Sequence, residues 1–268
     1  MTDSVEFMSQ DDNSAPISAH ELRDRELFNR ISKDYCRKDL LPAHSMARQC
    51  RVEQTINALP VSSKIDIMEV GCGAGFSAKY LRGTYHKYLG IDYSGELIKF
   101  ARVHNAGEGV EFQAINIKDL ETKRRFDVVL LIGVLHHFEN IHSLMNHMVS
   151  LLKLGGWIVA NEPHAGNPVI RLSRAIRKRI DSKYSSRQVE FTISQLCNIF
   201  EDASLKEIKM IPQGIFSTPF AEVIMPLQEI TTLISKYACS IDKMIERKYR
   251  YRLRNITWNI IAAGRKIR

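Results

Sequence analysis

The segment Ile65-Asp66-Ile67-Met68-Glu69-Val70-Gly71-Cys72-Gly73-Ala74-Gly75-Phe76 constrains the fold more than any other stretch. A short apolar run ends in a glycine-rich turn, and residues 76–81 continue at helical apolar spacing up to Gly83, a helix terminator. The predicted order is strand, tight loop, helix. Glycine suits such a loop because the chain turns sharply and because a ligand approaches backbone closely only where no Cβ intervenes. Free N–H groups at the start of the following helix then face that ligand. A dinucleotide fingerprint, G-x-G-x-x-G, would need glycine where Phe76 stands, and a P-loop would need a Lys-Ser/Thr pair that this loop lacks.

A second apolar run, residues 88–91, ends at Asp92, about twenty residues past the first glycine, where a carboxylate reaches the ribose hydroxyls of a nucleotide cofactor. An aspartate there can also cap a helix, and Ser94 can cap the helix predicted over residues 96–101. The pairing of Asp92 with the loop at this distance favours the ribose reading. The resulting E-x-G-x-G-x-G form, Glu69 to Gly75, resembles motif I of the class I S-adenosylmethionine-dependent methyltransferases, in particular the small-molecule type 11/12-like enzymes. The resemblance covers residues 51–210 well and the tail loosely.

That resemblance implies S-adenosyl-L-methionine as cofactor and S-adenosyl-L-homocysteine as product. It implies cofactor contacts from Glu69, Gly71, Gly73, Asp92 and the adjacent Tyr93. After the alternating strand at residues 110–114, Asn116 offers a side-chain oxygen and Ile117 a backbone N–H, the complement of an adenine edge. The family commonly has Asp at the position of Asn116, and Asp119 is the alternative. Residues 126–132, the most apolar run, read as a central strand buried on both faces and lead into Gly133-Val134-Leu135-His136-His137-Phe138. The resemblance puts the backbone of Ile132 and Gly133 at the methionine end. His136 or His137 can take the acceptor's proton near neutral pH, or can simply pack and orient the loop.

A helix over residues 140–152 and a fifth strand over 157–162 follow, and Glu162 at that strand's carboxyl end faces the same crevice and can orient a histidine or cap the next turn. Ahead of the glycine loop, two helices are predicted from Glu21 and through residues 46–59. In the resembled family a leading helix covers the cofactor, which makes Tyr35 a candidate cover for the reactive methyl and Arg51 a candidate partner for the methionine carboxylate. A core tyrosine and a surface arginine are the alternatives.

Alternating β and α units predict a doubly wound, seven-stranded, mostly parallel sheet, Rossmann-like, with helical insertions forming a substrate cap. The domain reading is a disordered tail at 1–20, a helical cover at 21–60 and a cofactor-binding α/β domain at 61–268. Insertions are placed at about 163–203 and 214–249. The first includes a basic amphipathic helix with Val169, Leu172, Ile176 and Ile180 on one face; the second is a long helix from Pro226 whose apolar stripe is read as core packing.

The chain has a net charge of +8, with its basic excess at residues 171–187 and 243–268, outside the cofactor motifs. Such tracts suit anionic substrates, lipid surfaces or nucleic acid, and equally solvated helix faces. Five scattered cysteines without a C-x-x-C pair suit free thiols in a reducing compartment. With an acidic amino terminus unlike a signal peptide and no apolar run near the length of a membrane span, a cytoplasmic protein is expected. No carboxylate or His/Cys cluster stands at metal-ligand spacing, so no metal is expected. The expectation is methyl transfer to a small-molecule acceptor at a hydroxyl, with an anionic or amphipathic acceptor allowed. The protein would be a monomer or homodimer, with peripheral membrane contact allowed and nucleic acid disfavoured. The alternatives are an RNA or anionic lipid-linked substrate, and a non-catalytic partner subunit.

Overall fold

In the computed structural model, residues 19–61, 64–168, 191–249, 252 and 255–268 are described. Apolar runs form the strands β1 (Ile65–Val70), β2 (Tyr85–Asp92), β3 (Val110–Ala114), β4 (Phe126–Ile132), β5 (Leu152–Pro163), β6 (Lys206–Gln213) and β7 (Asn259–Arg265). They make one seven-stranded sheet in the order β3-β2-β1-β4-β5-β7-β6. Pairing is parallel from β3 through β5, and β7 runs antiparallel between β5 and β6. The doubly wound, mostly parallel sheet read from the sequence is therefore the observed one.

The helices are α1 (Ala19–Leu40), α2 (Pro42–Asn57), α3 (Phe76–Tyr80), α4 (Gly95–His104), α5 (Ile141–Ser150), α6 (Ile193–Asp202), α7 (Thr218–Glu222) and α8 (Gln228–Tyr249). Successive strand residues point to opposite faces, so each strand feeds two cores. Met68, Val129, Leu131 and Ile158 meet Leu144 and Met148 of α5 and Leu196 and Phe200 of α6 on one side. Ile67, Tyr88, Val128 and Leu130 meet Val52 and Ile56 of α2, Ala78 of α3 and Ile98 of α4 on the other. Burial on both faces explains why β4 needs an unbroken apolar run.

This winding fixes where a ligand can sit. Strand order reverses between β1 and β4, and in such sheets the crevice lies outside the carboxyl ends of the strands flanking that reversal. Gly71 follows β1 and Gly133 follows β4, so both loops open onto one crevice.

One expectation falls outside the described residues and one changes. The basic helix through Val169 and Ile180 lies outside the described residues, but α6, placed inside the same insertion, is a core helix: Leu196 and Phe200 are wholly buried against the sheet. The long helix α8 buries Ser235, Ala238, Cys239, Asp242 and Glu246 and turns Ile230, Ile234, Tyr237 and Ile241 outward, the reverse of core packing for its apolar stripe. Asp242 explains the inversion: its carboxylate accepts the backbone N–H groups of Ile215, Phe216 and Ser217 at 2.9–3.2 Å, and Glu246 accepts that of Gly214. Those bonds hold the polar side inward.

If α6 is core rather than a detachable cap, Phe200→Ala should cost about 3–5 kcal/mol in denaturant unfolding, the usual range for emptying a buried phenylalanine site.

Candidate active site

The glycine loop is built around left-handed backbone. Gly71 has φ +68°, and a Cβ there would lie 2.6 Å from a methyl of Val134, so the β1 and β4 loops touch only because this residue has no side chain. Gly73, at φ +52°, has open space where its Cβ would be, bounded by the Tyr35 ring at 3.7 Å. Its backbone faces a cleft.

Asp92 joins this loop to the next helix. Its Oδ2 accepts the Gly73 N–H at 2.9 Å and its Oδ1 the Ser94 N–H at 2.8 Å. Burial pushes the Asp92 carboxyl above the usual carboxylate range, and those N–H groups and nearby His137 oppose the rise. Ser94 caps α4 by accepting the Leu97 N–H, and its hydroxyl donates to Asn29 of α1 at 2.7 Å.

A cleft opens beside the loop. The structure brings Tyr35, Gly71, Gly73, Asp92, Tyr93, Asn116, Ile117, Ile132, Gly133 and His137 together on its walls. Phe28, Leu97, Val134 and Phe138 join them unforeseen. The Asn116 side-chain oxygen already accepts the Lys118 N–H at 3.1 Å, capping a short turn, which leaves it one lone pair for a ligand. Asp119 lines an outer recess with Asp24, Arg25 and His137.

A smaller recess continues past the loop, with Glu69, Arg48, Tyr35 and Gly73 on its walls. Glu69 is buried and accepts the hydroxyls of Ser77, at 2.7 Å, and Tyr88. Burial raises its pKa to about 7 against those bonds and the Arg48 charge. Arg51 lies beside Gly133: its Nε donates to Asn161 Oδ1 at 2.8 Å, one terminal nitrogen donates to the Asn161 carbonyl at 3.0 Å and stands 3.6 Å from where a Gly133 Cβ would be, and the other lies 3.5 Å from Glu222. The arginine that reaches the recess is Arg48, which also pairs with Asp39 at 3.1 Å.

The two histidines have different neighbours. His136 Nδ1 lies 2.8 Å from Glu162 Oε2, while Glu162 Oε1 accepts the N–H groups of Val134 and Leu135 at 2.8 and 2.9 Å. Burial would raise the Glu162 pKa, but the bond to His136 and the two backbone donors outweigh it and hold the carboxyl below its ordinary value. A fixed carboxylate on Nδ1 sets the ring's tautomer and leaves Nε2 for chemistry. His137 Nδ1 instead bonds Asp24 of α1 at 2.9 Å, and its ring meets Phe28 edge to face. Asp24, Phe28, Asn29 and Arg48 were missed by sequence reasoning. Asp24, Phe28 and Tyr35 fall at helical spacing on α1, the one signal that could have grouped them.

A sheet in this order, with a glycine loop after β1 and a carboxylate ending β2, is the class I S-adenosylmethionine-dependent methyltransferase architecture. Residues 68–160 match the family model described as "Methyltransferase domain". The ubiquinone biosynthesis O-methyltransferase of Bradyrhizobium sp. (strain ORS 278) is 25% identical over 169 residues, covering 58% of this chain and 66% of that protein. Among solved structures, an S-adenosylmethionine-dependent methyltransferase from Thermotoga maritima superposes with a TM-score of 0.63 at 18% identity, covering 90% of this chain and 98% of that one. Magnesium protoporphyrin IX methyltransferase from Synechocystis PCC 6803, solved with S-adenosylhomocysteine bound, gives 0.59 at 14%, covering 92% and 100%. The chain has the fold of the class I S-adenosylmethionine-dependent methyltransferases, and its residues 68–160 resemble their methyltransferase domain. It spans between 40% and 66% of the length of the curated relatives it matches.

The raised Glu69 carboxyl has a consequence for stability. A folded pKa above the unfolded value favours folding fully below pH 4.5 and loses that contribution as pH rises through about 7. Glu69→Gln should remove a pH-dependent loss of about 3 kcal/mol between those limits, read from urea midpoints across pH 4.5–8.

Proposed function

We propose that the protein transfers the methyl group of S-adenosylmethionine to a hydroxyl of a small-molecule acceptor, with His136 as the base. The observation that carries this reading is the His136–Glu162 pair beside the Gly133 loop. The cleft's own chemistry fits the cofactor. The bare backbone at Gly73 leaves room for a ligand against the loop, and the Asp92 carboxylate keeps lone pairs for ribose hydroxyls after its two backbone bonds. Asn116 and Ile117 would meet adenine, Tyr93 the nucleoside, Ile132 and Gly133 the methionine end, and Glu69 with Arg48 its ammonium and carboxylate. Arg51, tied to Asn161, would shape the acceptor side of the crevice. Tyr35, Phe28 and His137 would cover the cofactor from α1 and the β4 loop.

When bound, S-adenosylmethionine supplies an electrophilic methyl group on a cationic sulfur. The protein's share is to hold the acceptor oxygen in line with that methyl, exclude water and accept a proton. His136 Nε2 takes the proton released by the hydroxyl, and the ionised Glu162 stabilises the imidazolium before it returns the proton to solvent. The curated relative's name, an O-methyltransferase of ubiquinone biosynthesis, supports oxygen as the nucleophile and an amphipathic acceptor. No helix among the described residues is long and apolar enough to cross a membrane. The free cysteines Cys36, Cys50, Cys72, Cys197 and Cys239 support a reducing, cytoplasmic setting.

The two histidines separate the proposal from its rival, an idle cofactor-binding subunit. His136→Ala should lower kcat by about 10²–10⁴-fold with S-adenosylhomocysteine affinity unchanged, the range for removing a general base. His137→Ala should weaken cofactor binding more than it lowers kcat. Turnover of labelled S-adenosylmethionine with hydroxyl acceptors tests both; unaltered kcat in His136→Ala would remove the base.

A further inference from the structure

The outward face of α8 has no counterpart in the cofactor site. Ile230, Leu233, Ile234, Tyr237, Ile241 and Met244 are 41–67% exposed. At 100° per residue they fall within an arc of about 100°, and Val223, Ile224 and Leu227, all more than half exposed, extend the surface ahead of the helix. A contiguous apolar face of this kind on a protein surface marks a docking site. Its opposite side is already committed to α2, where Ser235 donates to the Ala43 carbonyl at 3.0 Å.

Charge decides what docks there. Along one border of the apolar arc stand Lys236, Lys243 and Arg247, and Lys248 continues the arc itself past Met244, all exposed, against Glu229 as the one exposed acid of α8. Lys243 is shared with Glu53 of α2 at 3.8 Å, and the rest of this basic flank is on the helix surface. Lys236, Lys243 and Arg247 lie along one border of the arc, so the charge there is of one sign over about three turns of the helix. An anionic headgroup layer complements the same flank. An apolar helical face bordered by lysines and arginine is the form that lies in the plane of a bilayer interface, with the long basic side chains reaching up to headgroups.

We propose that α8 and the segment before it form an interfacial docking surface for an anionic lipid bilayer. Val223 directly follows Glu222, whose carboxylate lies 3.5 Å from Arg51, so the docked face adjoins the rim of the crevice. The inference stands apart from the methyl-transfer reading and needs no cofactor to be tested.

The test is co-sedimentation of the full chain with vesicles of phosphatidylglycerol and phosphatidylcholine, and with vesicles of phosphatidylcholine alone. The wild type should pellet with the anionic vesicles, less so as salt rises, and weakly with the neutral ones. Ile234→Asp and, separately, Ile241→Asp should lower partitioning about tenfold or more while far-ultraviolet circular dichroism and S-adenosylhomocysteine affinity stay unchanged. Lys236→Glu with Lys248→Glu should abolish the preference for anionic lipid. A wild type that stays in solution overturns the proposal. So does wild-type partitioning by Ile234→Asp, which would move the contact to another part of the chain. A dimer in sedimentation velocity that Ile234→Asp makes monomeric would also overturn it, making the face a self-interface.

Discussion

One buried carboxylate ties the cleft together. Asp92 ends β2, accepts a backbone N–H from the loop after β1 and another from the cap of α4, and so fixes three elements at the edge where the sheet's winding reverses. Burying a charge is costly without donors, and the two N–H groups lower that cost while presenting the remaining lone pairs to the cleft. Through Ser94 the same node reaches Asn29, so the leading helix α1 is anchored beside Asp92. His137 and Asp24 provide a second anchor for that helix at 2.9 Å.

The other end of the crevice is organised by Glu162. Its two oxygens divide their work, one holding the backbone of Val134 and Leu135 and the other orienting His136. The loop that must meet Gly71 through Val134 is therefore the loop that aims the imidazole. The packing of Val134 on a residue without a side chain sets the distance between the β1 and β4 loops.

Much of this was legible in the chain because it is written locally. The apolar run ending in Gly71, the aspartate ending β2 and the run Phe126–Ile132 each carry their meaning within a few residues, and the winding rules for alternating units do the rest. What was not legible depends on contacts across the fold. Arg48 and Arg51 are three residues apart on α2, and their spacing cannot tell which reaches the recess; Asn161 settles it by taking Arg51. Asp24 meets His137 across more than a hundred positions. The stripe on α8 was plain as a pattern, but periodicity says that a helix has an apolar side without saying which side is covered. The backbone donors at residues 214–217 decide that, by drawing Asp242 and Glu246 inward.

The central claim is that Asp92 and the glycine loop hold the adenosyl moiety between them. A crystal structure of the full chain with S-adenosylhomocysteine tests it most directly. The account predicts ribose hydroxyls about 2.6–3.0 Å from the Asp92 carboxylate, with adenine beside Asn116 and Ile117 and the amino-acid end toward Glu69 and Arg48. An adenosyl group bound away from Asp92, with the cleft beside Gly73 left to another ligand, would contradict it.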